Sequence, residues 1–149
     1  GFDASGRYTE EDDGLRVRRQ YLDRSGKAVS EFRQNDLVVV RITLASTRRI
    51  DVPNVVVTDL LPAGFEVENP RLTSSRDLAW IKNAAVPDYF DIRDDRIHYF
   101  VTATPAEKVF YYQARITSAG TFVTGPVAAD AMYQTNLKSY SGGGKITVK

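Results

Sequence analysis

The chain has 149 residues, with 20 basic and 19 acidic side chains and a formal charge of +1, so no cationic footprint for nucleic acid or anionic lipid stands out. It has no cysteine, which excludes disulfides, thiolate nucleophiles and thiolate metal sites. Its 42% hydrophobic and 26% charged residues are ordinary for a globular domain with one core, and no apolar run approaches the roughly 20 residues of a membrane helix.

Residues 1–13 read as an N-terminal linker or processing remnant, and 14–149 as one domain. Gly1 to Arg7 shows no periodic apolar pattern, and Glu10 to Asp13 is a like-charge run of the kind that stays solvated and loose. Strand signals then dominate. Leu15, Val17, Arg19 and Tyr21 alternate with Arg16, Arg18 and Gln20, the period of a half-buried strand. Asp23 to Gly26 is turn chemistry, with Gly26 able to take positive φ and Asp23 to cap locally. The strongest strand runs from Leu37 to Ala45, with Val38, Val40, Ile42 and Leu44 inward. Its other face carries Val39, Arg41 and Thr43, which predicts partial cover there.

Val55 to Leu60 is a further strand, closed by Pro62-Ala63-Gly64. Pro62 suits the second position of a turn and Gly64 the position that needs positive φ. Residues 68–88 are the least regular, with one short helix through Ala79, Trp80 and Ile81 capped from Ser74, Ser75 or Asp77. Tyr89 to Arg93 and Ile97 to Ala103 flank Asp94-Asp95 as a hairpin. Val109 to Thr117 alternates, Thr121 to Thr124 is a short strand, and Lys145 to Val148 is the last. The glycine triplet before it, Gly142 to Gly144, is expected as a hairpin loop. Seven or more short strands with turn signals between them predict an all-β, immunoglobulin-like antiparallel sandwich.

Catalytic chemistry finds no address. His98 is the only histidine and lies in an alternating strand beside Phe100 and Thr102, so a structural role is expected. Asp91, Asp94 and Asp95 offer carboxylates for Ca²⁺, but Arg93 and Arg96 interrupt them, which favours ion pairs within a turn over a calcium loop. Tyr111-Tyr112 and Tyr89-Phe90 alternate faces, so half of these rings belong to the core. The outward half could stack on a carbohydrate or a peptide. No phosphate-binding loop, zinc spacing or nucleophile elbow occurs, and no metal or cofactor is expected.

The stretch NVVVTDLLPAGFEVENPRL, Asn54 to Leu72, resembles the C-terminal macroglobulin-like domain of bacterial α2-macroglobulins. Further similar segments follow in order: DIRDDRI (Asp91 to Ile97), FYYQARITSAGTFVTGP (Phe110 to Pro126), DAMY (Asp130 to Tyr133) and SGGGKITV (Ser141 to Val148). The resemblance implies a non-enzymatic structural and gating domain of a broad-spectrum endopeptidase inhibitor, a protease trap in bacterial defence. The parent would be periplasmic or cell-envelope, an inner-membrane lipoprotein in many members. Partners implied are the thioester and neighbouring domains of the same chain, target proteases met by the full-length protein, and a penicillin-binding protein. Nucleic acid and direct membrane insertion by this domain are not among them. In the family a Met-Tyr pair shields the thioester from water, and Met132 and Tyr133 match it. The residues alone also allow both side chains to pack into this domain's own core. DLLPAGF, Asp59 to Phe65, also occurs in repeat domains of bacterial surface proteins, which leaves an immunoglobulin-like adhesion or scaffold module as the alternative.

Overall fold

The computed structural model describes residues 10–70, 78–134 and 136–149. Two antiparallel sheets face each other. The smaller holds β2 (Leu15–Leu22), β4 (Leu37–Ser46), β9 (Lys108–Ile116) and β6 (Phe65–Asn69), in that spatial order. The larger is ordered β1 (Glu11–Asp13), β11 (Lys138–Val148), β10 (Gly120–Ala131), β5 (Val52–Leu60), β8 (Arg96–Ala103), β7 (Tyr89–Arg93), with β3 (Glu31–Phe32) pairing β11 in parallel. This is the all-β sandwich that the period-2 patterning predicts.

The core lies between the inner faces. Val17, Val40, Ile42 and Leu44 meet Val55, Val57, Ile97 and Val101, all buried. Tyr99 on β8 stacks on Phe110 on β9 across the sheets, 5.8 Å between ring centroids. Asp23 accepts from the backbone N–H groups of Ser25 and Lys27 through Oδ1, and these bonds, with the Ser25 hydroxyl first, hold its pKa below the ordinary carboxylate value. A second, smaller core sits on the outer face of the small sheet. There Leu78 and Ile81 cover Val39, Leu22 and Tyr111, and the Trp80 indole donates to the Arg24 carbonyl at 2.8 Å.

Four expectations are corrected. Ala79 and Trp80 form a turn closed by Ile81 N–H to the Leu78 carbonyl, and no helix occurs among the described residues. One i→i+3 bond suffices because Leu78 and Ile81 are pinned by burial; the proposed caps Ser74, Ser75 and Asp77 lie outside the described residues. Glu11–Asp13, expected as the end of a loose linker, pair with Lys138–Tyr140 as β1, because Arg18 and Ser139 bond Asp12 and Arg48 bonds Asp13. The glycine triplet is strand, not loop: Gly142 pairs with Pro126 and Gly144 with Thr124. The ladder between β10 and β11 runs straight through these residues of poor strand propensity. Pro62 opens its turn in the first position, not the second, since Phe65 N–H donates to the Pro62 carbonyl.

Candidate functional site

The turn between β10 and β11 is anchored on both flanks. Ala131 N–H donates to the Leu137 carbonyl, Leu137 N–H to the Gln134 carbonyl, and Met132 N–H to the Asn54 carbonyl at 2.9 Å. Ala131 and Leu137 are buried, 6% and 4% exposed, while Met132 and Tyr133 between them are 45% and 80% exposed. Five hydrophilic or small residues could carry such a turn. Here a thioether and a phenol ring are presented outward on a fixed backbone, so a role for both in this domain's own core is excluded. Such a pair can cover an apolar neighbour and exclude water from it.

The Pro62–Phe65 turn holds Gly64 at φ +81°. A Cβ there would lie 2.9 Å from Ser118 Cβ, and the Gly64 carbonyl accepts from both the N–H and the hydroxyl of Thr117. Backbone conformation and a close approach both call for glycine at this position.

The remaining sequence candidates are dispersed. His98 Nδ1 lies 2.9 Å from Thr58 Oγ1 on the outer face of the large sheet, where Asp91 stands opposite His98 in register. Asp91 bonds Arg93 instead, at 3.0 Å, and Asp95 bonds Arg96, so two of the three acidic residues around this hairpin are engaged in ion pairs. Among the described residues no group of three metal-ligating side chains converges. Tyr111 and Tyr112 are both buried, whereas Tyr89 is 63% exposed.

The sequence reading missed the buried polar centre. Arg19 on β2 donates to Asp59 Oδ1 on β5 at 2.5 Å and to the Gly125 carbonyl on β10 at 2.6 Å. Tyr112 donates to Asp59 Oδ2 from β9. The Arg19 and Asp59 side chains are 2% and 0% exposed. Burial works against the Arg19 charge, but the Asp59 carboxylate outweighs it and holds the guanidinium pKa above its ordinary value. Burial, with the Asp59 charge second, pushes the Tyr112 hydroxyl well above 10.0. Burial likewise raises Tyr21, whose ring lies under the guanidinium at 4.8 Å and whose buried hydroxyl has no hydrogen-bond partner among the described residues. A Cβ on Gly142 would come within 3.0 Å of Arg19 Nη2, so a glycine there leaves the guanidinium its room. A signal existed: Arg19 falls on the apolar face of an alternating strand, and a buried cation requires a counter-charge. The same requirement explains the first residue of DLLPAGF, Asp59.

Residues 14–136 match the bacterial α2-macroglobulin MG10 domain. An α2-macroglobulin homologue of Yersinia pestis is 32% identical over 91% of the chain, and an α2-macroglobulin of Pasteurella multocida 31% identical over 91%. The chain spans 8% and 7% of these two relatives. A Salmonella α2-macroglobulin reacted with methylamine superposes over 100% of this chain and 10% of its own, with TM-score 0.85 and 28% identity. An Escherichia coli α2-macroglobulin activated by porcine elastase covers 95% of this chain and 14% of its own, with TM-score 0.82 and 25% identity.

Proposed function

The chain belongs to the bacterial α2-macroglobulin MG10 domain family, and from that premise we propose that it is a non-catalytic gating domain of a protease trap whose Met132–Tyr133 turn shields a thioester on a neighbouring domain. The observation that carries this reading is the outward presentation of both side chains on a backbone tied at Ala131, Met132 and Leu137. A thioester is lost when water or an amine reaches its carbonyl carbon. A broad ring and a polarizable thioether pressed against it remove that access without adding a nucleophile.

The similar proteins support the reading in two ways. A Salmonella relative was reacted with methylamine, the behaviour of a protein with an electrophilic acyl group. An Escherichia coli relative was activated by porcine elastase, which fits a molecule that changes state when a protease cuts it. Both bear on the parent rather than on this domain alone. The cell envelope is the compartment such a trap would guard. The family match extends far beyond the DLLPAGF turn, which leaves the adhesion-module alternative without support of its own.

The test separates stability from shielding. Met132→Ala and Tyr133→Ala, made in the full-length parent, are expected to leave the melting temperature of this domain nearly unchanged and to speed thiol release by methylamine. Destabilisation by the ~2–5 kcal/mol of a buried large-to-small change, with thiol release unaltered, would reject the lid.

A further inference from the structure

A second turn shares the end of the sandwich from which Met132 and Tyr133 project. It joins β4 to β5 and carries Ile50, 49% exposed. β5 and β10 are neighbours in the large sheet, with Val55 opposite Ala131, so the two turns extend past the sheet side by side. The β10–β11 turn is also tied to the start of β5, just beyond the β4–β5 turn, since Met132 N–H donates to the Asn54 carbonyl. The ladder between β5 and β8 slips between Val52 and Val55, and that irregularity falls where Asn54 meets Met132.

The backbone of this turn is held at a cost. Arg49 in the turn and Asn54 near the start of β5 both adopt left-handed conformations, at φ 58° each. Asparagine tolerates this region, but arginine seldom occupies it. Strain of this kind persists where surrounding structure imposes it, and it gathers at sites that meet a partner. Here it accompanies an exposed isoleucine. Single exposed apolar residues are normal on a protein surface, whereas an isoleucine, a methionine and a tyrosine on two turns at the same end of neighbouring strands offer apolar groups to one side of the domain. Val123, another exposed apolar side chain, lies toward the opposite end of β10.

Resting on the proposed lid reading, we infer that Ile50 is a third element of the docking surface, so that the β4–β5 and β10–β11 turns engage a neighbouring domain of the parent as one unit. The occupant is a segment of the same polypeptide, because this chain spans only 8%, 7% and 6% of three relatives it matches and most of such a parent is available to cover it. Its contact area would be apolar opposite Ile50 and Met132. At its margin it would accommodate a cationic group, since Arg49 rises exposed from the same turn while Arg48 is paired with Asp13.

Carbene footprinting of the full-length parent tests this without a variant. Labelling of each residue in the native protein is divided by its labelling in the guanidinium-unfolded protein, and the ratios are compared with those of Leu44, fully buried in this domain. The inference expects Ile50, Met132 and Tyr133 all to fall to the Leu44 level. Protection of Met132 and Tyr133 with Ile50 still labelled as a half-exposed residue would overturn the inference and leave the lid reading standing. Labelling of Met132 and Tyr133 in the native parent would overturn the lid reading and this inference with it.

Discussion

The two long seams of the sandwich are closed by different means. On one side, β2 lies over β10 and β11, and polar groups bridge the sheets. Val17 N–H donates to Ser139 Oγ at 3.0 Å, and Ser141 Oγ donates to the Val17 carbonyl at 2.8 Å. Two serines thus satisfy the outward backbone of an edge strand, and the Arg19–Asp59 pair lies farther along the same strand. On the other side, β6 and β7 flank an open cleft whose lining mixes apolar Leu61, Phe65, Val67 and Ile92 with charged groups such as Glu66 and Arg93. There the Tyr99 hydroxyl on β8 donates to the Pro70 carbonyl after β6, and Ile92 is 40% exposed. The difference teaches that this fold puts its buried ion pair and serine bridges on one seam and leaves the other, with a single hydroxyl bridge described, more open to solvent.

The largest test of that contrast is Asp59→Ala. It leaves the Arg19 guanidinium buried without its counter-charge and the Tyr112 hydroxyl without its acceptor, and should cost about 3–5 kcal/mol. Urea unfolding followed by far-UV circular dichroism would show it as a lower midpoint. The double change Arg19→Met with Asp59→Leu should recover much of the loss, and failure to recover would mean that the pair does more than balance charge. Ser139→Ala comes next, since it strands the buried Val17 N–H, at a cost of ~1–3 kcal/mol.

Alkali should attack the polar seam as well. Burial raises the pKa values of Tyr21 and Tyr112 above the ordinary 10.0. Above pH 10 the unfolded chain therefore loses these protons before the folded one. Stability is fully present below that pH and falls as pH rises toward the folded values. Urea midpoints at pH 8 and above pH 10 would check it, and a midpoint independent of pH would contradict the burial of these hydroxyls. The smallest effect is expected on the open seam. Ile92→Ser should change stability by no more than about 0.5 kcal/mol, and a loss comparable to that of Ser139→Ala would erase the contrast between the seams.

The strands that sequence reveals best are those whose alternation is long and uninterrupted. β2, β4, β8 and β9 read directly from their apolar faces, because one face is buried throughout. β6 did not, since Phe65 and Val67 alternate with Glu66 and Glu68 over only five residues. β10 and β11 were cut short in the reading because Pro126 and the three glycines weaken local propensity, and cross-strand pairing overrides it. The Met132–Tyr133 turn was nameable only through resemblance. Nothing local distinguishes an exposed methionine from a buried one; the polar Gln134 and Asn136 after it were the one hint. Arg19 was placed on the right face, but its partner lies 40 residues away, and no periodicity connects two strands in different sheets.

The small core on the outer face of the four-stranded sheet bears on how unfolding of this protein is observed. Trp80 is its only tryptophan. The indole stands edge-on to Tyr111, 5.8 Å between centroids, and lies against Gly26. It therefore reports on the covering segment, not on the space between the sheets. Emission at its wavelength will register release of that segment, while the far-ultraviolet signal registers loss of the strands. If the cover lifts first, two midpoints will separate, and a transition that is cooperative for the sandwich will look biphasic by fluorescence alone.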